Sequence, residues 1–275
     1  MCSSDLTPDQ LQVDWQPCMA WSPWLFDLTT APFNDVRVRR AVSMAVDRAG
    51  WIKNRLLGRG RNAVLVLPWL TAWSLDPAKM GDDGRYVTTY DVAEAKKLLL
   101  AAGYEKLKFT LQTSNNSAYT ATYPYADLMQ SMLAAIGIAQ DFKIVDYGTH
   151  LAKNMADAGI YQTFIARPDL QSYVFGQVGL GGGAVVGGKD VWGALAKNDR
   201  EYGAFREVAE KQRTTLDRDA RRDLVADLQR RMASNLWTFT WPAADTPIVS
   251  HRSVHNFRPR PGWNGGGLRS VWKDA

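Results

Sequence analysis

Glycine and lysine set close together are the first pattern in this chain with a chemistry attached. Residues 183–190, GAVVGGKD, fit the G-x-x-x-x-G-K spacing whose backbone N–H groups cradle phosphates. Asp190 stands where a Ser or Thr would hold Mg2+, and its charge would repel a phosphate. The overlapping GLGGGA at 179–184 fits a loose dinucleotide pattern. That pattern needs a strand before it, a helix after it and an acid about 20 residues on, and the surrounding sequence does not supply this context. The stretch from Gly179 to Lys189 therefore reads first as a glycine-rich loop with backbone freedom. A nucleotide-binding enzyme is the alternative.

Other chemistry-bearing residues give less. His251 and His255, in HRSVH, lack the H-E-x-x-H arrangement of a zinc helix. An alternating strand would place both on one face, which keeps a two-histidine metal site open. His150 reads as a residue at the start of a helix. No G-x-S-x-G elbow is present, and no carboxylates stand in a recognisable catalytic pair. Cys2 and Cys18 fit neither a metal spacing nor a disulfide framework. No catalytic constellation among these residues argues for an enzyme, and no cofactor and no metal are expected.

The aromatics carry more. Of 11 Trp, ten (15, 21, 24, 69, 73, 192, 237, 241, 263 and 272) fall in expected loops or strand ends. There they line a ligand cleft by stacking, or they fill a large α/β core. For any single Trp the core reading leads.

The elements that position these residues follow from periodicity. In PFNDVRVRRAVSMAVDR (32–48), Asn34 or Asp35 is an N-cap. Val38, Ala41, Val42 and Ala45 recur at helical spacing, which predicts a helix to about Arg48. An irregular region follows, punctuated by Gly58, Gly60 and Pro68, with a strand-sized apolar run at 63–67. YDVAEAKKLLLAAGY (90–104) is a helix with an Asp91/Glu94 capping pair and Gly103 closing it. KLKFTLQTS alternates as a strand, the next segment is a helix ended by Gly137, and AQDFKIVDY is a second strand. Strand, helix, strand in this order implies a parallel βαβ unit. A short helix near 150–156, a strand near 160–166 and two helices near 199–215 and 218–234 continue the pattern. The last forty residues read as extended segments and turns. The fold class is α/β.

Composition bounds the partners. The chain has 275 residues, 46% hydrophobic and 22% charged, an ordinary globular composition. No apolar run approaches the roughly 20 residues of a membrane-spanning helix, so no membrane insertion is expected. Net charge is +5 and the pI about 9.2. The basic residues are interleaved with acids: residues 216–232 hold five Arg and four Asp around an apolar face of Ala220, Leu224, Val225, Leu228 and Met232. That pattern is a mixed-charge surface helix, and no nucleic-acid partner is expected.

The segment at 32–48 resembles the pattern P-F-x-D-V-R-V-R-x-A-x-x-x-A-x-D-R, the hallmark of family 5 of the bacterial extracellular solute-binding proteins. These include the dipeptide-, oligopeptide- and nickel-binding components of ABC importers. YDVAEAKKLLLAAGY, LMQSMLAAIGI and the terminal VHNFRPRPGWNGGGLRSVW resemble further family segments in the right order. The resemblance covers about 24–272. It implies the C-terminal lobe of a two-lobed, type II periplasmic-binding-protein fold, with most of the first lobe missing. On this basis residues 31–245 form the ligand-binding lobe, 7–30 a residual crossover segment and 246–275 the return to the first lobe. The opening MCSSDL lacks the basic and apolar regions of an export signal. It resembles a translated sequencing adapter read from a GTG start, so residues 1–6 are expected to be non-native.

The resemblance implies a substrate-binding component that captures a peptide-like or other small solute between two lobes and passes it to an ABC permease. The setting it implies is the periplasm or the cell surface. Peptide binders of the family carry W-x-x-D-x-x-D-P-D, whose first Asp receives the peptide amino group. Aligned on Pro168-Asp169, this chain reads YQTFIARPD, with Phe164 at the place of that Asp and Arg167 before the Pro. A sugar, an acidic metabolite or an aromatic compound fits such a site at least as well as a peptide. The ligand-facing residues implied are Tyr161, Gln162 and Phe164, joined by Arg167 and Trp263. One lobe alone is expected to bind its solute poorly and to associate through apolar surface.

Overall fold

The computed structural model describes residues 8–16, 23–114, 123–151, 157–160, 170, 174, 185–186, 189–257 and 270–274. Two short strands come first, β1 (Leu11–Gln16) and β2 (Pro23–Phe26). Asp35 then caps helix α1 (Val36–Met44) by accepting the Arg37 N–H at 2.8 Å. The helix ends at Met44, not at Arg48. The reason is local: Asp47 accepts the Gly50 N–H at 2.7 Å and opens a separate helix, α2 (Arg48–Asn54). The chain continues through β3 (Gly60–Arg61), α3 (Arg85–Thr88) and α4 (Val92–Ala101). As the sequence predicts, Asp91 accepts the Glu94 N–H at 2.9 Å, and Gly103 takes the left-handed conformation beyond the helix end, at φ +91°. The apolar run at 63–67 is buried but is no regular strand, because Leu65 turns the chain at φ +48°.

The βαβ unit forms as expected from β4 (Leu107–Ser114), α5 (Tyr123–Ala134) and β5 (Ile138–Val145). After α6 (Tyr147–Leu151) and β6 (Ala158–Ile160) come the strands β7 (Val185–Val186) and β8 (Lys189–Asp190). His150 lies in the last turn of α6 and is buried, so it does not open the helix. Helices α7 (Val191–Asn198), α8 (Arg200–Thr214) and α9 (Arg218–Asn235) follow. The C-terminal part is extended: β9 (Thr238–Thr240), β10 (Ala243–Ala244), β11 (Thr246–His251), β12 (Val254–His255) and β13 (Trp272–Lys273).

Five strands form the main sheet in the order β5-β4-β6-β2-β9. β4 is parallel to β5, from Leu107 opposite Ile138 to Ser114 opposite Val145, and parallel to β6. β2 runs antiparallel to both β6 and β9. One face carries Phe109 and Leu111, then Trp24 and Phe26, then Phe239, all buried. Phe33 stacks on Phe26 at 4.4 Å and meets the edge of Phe109 at 5.1 Å. Tyr202, Phe205 and Trp237 form a second aromatic cluster, with Trp237 edge-on to both rings. Trp24, Trp51, Trp237 and Trp241 are therefore core residues. On α9, Val225, Leu228 and Met232 are buried as the apolar face predicts, while Ala220 is exposed.

Outside the sheet, β1 pairs antiparallel with β11 over its whole length, from Leu11 opposite His251 to Gln16 opposite Thr246. The two ends of the chain thus meet in one ribbon. β3 pairs with β10, which links this ribbon to the end of β9. Among the described residues no helix is long and apolar enough to cross a membrane.

Candidate functional site

Parallel strands end on the same side of a sheet, and ligands of open α/β sheets bind outside those carboxyl ends. Here β4, β5 and β6 end together at Ser114, Val145 and Ile160. β9 runs in the same direction and ends there at Thr240, opposite Pro23 at the start of β2. This edge also carries the connection from the sheet to the β1–β11 ribbon.

The edge has an unusual polar interior. Residues 107–110 of β4 alternate between buried and partly exposed, as a half-solvated strand should. From Leu111 to Ser114 every residue is buried, so both faces are covered. Gln112 is 0% exposed, and neither its amide oxygen nor its amide nitrogen has a hydrogen-bond partner among the described residues. The Thr113 hydroxyl, on the opposite face of the strand, is in the same state. Across from Gln112 on β6 is Gly159, which brings no side chain to fill the space. Leaving a buried polar group unsatisfied costs about 1–3 kcal/mol, and such groups in native proteins call for a reason. An amide offers two donors and an acceptor, so a polar organic ligand reaching this edge would find both.

The frame around the edge is held by buried arginines. Arg48 is 4% exposed. Its guanidinium donates to the Ser43 carbonyl and the Ser43 hydroxyl, both at 2.9 Å, and to the Thr240 carbonyl at 3.3 Å. It also lies over the Phe239 ring at 4.5 Å. Burial pulls its pKa down to about 9. Arg39 donates to the carbonyls of Asn235 at 2.9 Å and Phe33 at 2.7 Å, and burial lowers its pKa to about 10. Arg40 donates to the Ser234 carbonyl at 3.0 Å and stacks over Tyr86. The arginines of the 32–48 segment thus tie α1 to the end of α9 and to the end of β9. Through these bonds they position the edge.

The residues singled out from sequence fare differently. Tyr161, Gln162, Phe164, Arg167 and Trp263 lie outside the described residues, as do Cys2 and Cys18. β6 ends at Ile160, one residue before Tyr161, at the carboxyl edge. The phosphate-loop reading fails: Val185 pairs with Asp190 and Val186 with Lys189 in an antiparallel hairpin. A phosphate loop puts its lysine at the start of a helix, whereas Lys189 lies in a strand and α7 begins only at Val191. The two histidines occupy different strands. His251 Nδ1 meets the Ser253 hydroxyl at 2.7 Å, while His255 Nε2 meets Asp274 at 2.8 Å and its ring stacks on Trp272. Among the described residues no group of three or more metal-ligating side chains comes together. Sequence reading missed Gln112. In KLKFTLQTS it stands on the polar side of the alternation, which normally faces water, so only its place at the strand end set it apart.

Comparison with known proteins decides the family. The model of the bacterial extracellular solute-binding proteins, family 5 Middle, matches residues 5–183. The chain belongs to this family. Its members are solute-binding proteins, not enzymes, which retires the nucleotide-enzyme alternative. Heme-binding protein A of Haemophilus influenzae is 30% identical over 142 residues, which is 50% of this chain and 25% of that protein. Among solved structures, the oligopeptide-binding protein AppA of Bacillus subtilis, bound to a nonapeptide, superposes with a TM-score of 0.73 at 17% identity. The match covers 97% of this chain and 53% of AppA. AgaA of Agrobacterium tumefaciens R10, bound to agropinic acid, gives 0.72 at 20% identity over 99% of this chain and 54% of its own. At such identities the likeness is one of fold: the α/β fold of type II periplasmic binding proteins. The chain spans about half the length of those structures.

Proposed function

We propose that this chain is the C-terminal lobe of a two-lobed solute-binding protein, which traps a small solute and delivers it to an ABC permease. The setting is the periplasm or the outer cell surface. Residues 31–245 form the lobe, and the segments at 7–30 and 246–275 lead to and from the first lobe. Support for that division comes from the β1–β11 ribbon, in which 11–16 and 246–251 pair with each other outside the main sheet, although β2 at 23–26 belongs to the lobe's own sheet. The observation that carries the binding reading is Gln112: a fully buried amide at the carboxyl edge, opposite Gly159, with no partner among the described residues. The resemblance adds Tyr161, Gln162, Phe164, Arg167 and Trp263 as the residues proposed to meet the solute.

The solute is a peptide-like or other small polar molecule. The solved relatives span a nonapeptide and agropinic acid. With Phe164 and Arg167 in this chain, a sugar, an acidic metabolite or an aromatic compound fits at least as well as a free peptide amino terminus, because Phe cannot form an ion pair with an ammonium group. Nuclear magnetic resonance titration of the 15N-labelled chain with a short peptide, agropinic acid and heme tests the assignment. A binding solute shifts amides at 111–114 and 159–160, and Gln112→Leu removes those shifts while the protein stays folded. Shifts that survive Gln112→Leu unchanged would overturn it.

A further inference from the structure

A polar cavity of about 400 Å3 is lined by Arg61, Asn62, Pro68, Thr71, Ser74 and Asp76. None of the residues at the β4 end lines it. Its two walls are fixed from behind. Arg61 sits in β3, paired with Ala243 of β10, and the next turn is held by the Thr240 hydroxyl donating to the Ala63 carbonyl at 2.7 Å. On the far wall, buried Gln229 accepts the Leu75 N–H at 2.9 Å and donates to the Trp73 carbonyl at 2.8 Å. The chain doubles back between the walls at Leu65, whose φ of +48° is a strained conformation for a non-glycine residue. Strain of this kind persists only where the surroundings enforce it.

The polar tips, in contrast, are left open. Arg61 has no ion pair or hydrogen bond from its guanidinium among the described residues. The Asn62 side-chain oxygen is buried without a partner. Asp76 uses one carboxylate oxygen to accept the Ala78 N–H at 3.0 Å, and its other oxygen remains. A cation and an anion therefore line one small cavity without pairing with each other. We propose that this cavity binds a small zwitterion. Its carboxylate meets the Arg61 guanidinium, whose fork geometry suits it. Its ammonium group meets Asp76 and the orphaned Asn62 oxygen. The proposal goes beyond the solute-capture reading and rests on none of its residues.

The test uses β-alanine as the zwitterion, with propionate and propylamine as probes that each lack one charge. Titrated into the 15N-labelled 275-residue chain, β-alanine should shift amides at 61–62 and 74–76 with a Kd on the order of 1 mM, as its few heavy atoms allow. Propionate and propylamine should each bind roughly tenfold more weakly, a difference of about 1.4 kcal/mol. Arg61→Gln and Asp76→Asn should each cost β-alanine a similar factor, and Asn at position 76 still caps the turn. Gln112→Leu should leave β-alanine binding unchanged, which separates this site from the other. Absence of β-alanine shifts overturns the proposal. So does propionate binding as tightly as β-alanine, or retention of full affinity in both variants.

Discussion

Arg48 and Gln112 are both buried polar residues, and the hydrogen bonds around them give them opposite roles. Arg48 has a carbonyl or a hydroxyl for each arm and an aromatic ring beneath it. Lysine cannot reproduce that fork, so Arg48→Lys should lower stability by about 2–3 kcal/mol, read as a fall in urea midpoint. Gln112 spends folding energy without return inside the described chain. Gln112→Leu should therefore raise the urea midpoint, by an amount equivalent to about 1–2 kcal/mol, while weakening solute binding. A variant that loses both stability and binding would mean that Gln112 is a structural residue. Asp35 gives a pH signature. A hydrogen bond from Arg37 holds its carboxyl below the ordinary value of 3.8. A depressed carboxylate stabilises the fold above the unfolded pKa and loses that contribution as pH falls through the folded one. Acid unfolding of Asp35→Asn should accordingly show a shallower loss of stability below about pH 4 than the parent chain.

At the scale of elements, capping chemistry was the most legible feature. The sequence offers Asn34 or Asp35 as one cap and the Asp91/Glu94 pair as another; Asp35 and Asp91 do cap, because their side chains need only local backbone N–H groups. Asp91→Ala should cost about 1 kcal/mol of stability by thermal or chemical melting; no change would remove the cap from the account. The parallel β4–α5–β5 unit was legible for the same local reason. Where tertiary contacts decide, sequence fell short. Leu236 closes α9 in a left-handed conformation at φ +48° where glycine is usual. Burial holds Leu236 there, which no local signal announces. The polar alternation of KLKFTLQTS hid Gln112 in the same way: periodicity shows which side a residue takes, not what covers that side. The arginines of the 32–48 segment show the converse. They carried the family resemblance, and in the structure they join helix and strand ends.

For the whole molecule, the ribbon of β1 and β11 is the informative part. On one face it exposes Val13, Trp15 and Val249, with Val13 directly opposite Val249 and Arg59 stacked over the Trp15 ring at 4.2 Å. An exposed apolar row outside the main core is a surface prepared for further protein. The isolated chain should self-associate through it. Sedimentation velocity should show a concentration-dependent shift that Trp15→Ser with Val249→Thr reduces. Undiminished association in that double variant would place the contact elsewhere. On the proposed one-lobe reading the chain carries half a cleft and should bind its solute weakly. The most direct test is the titration of the labelled chain by short peptide, agropinic acid and heme, compared between the parent and Gln112→Leu. The account predicts at least one solute binding with a Kd on the order of 1 mM, amide shifts at 111–114 and 159–160, and their loss in the variant. Micromolar binding, or shifts at that edge untouched by Gln112→Leu, would contradict it.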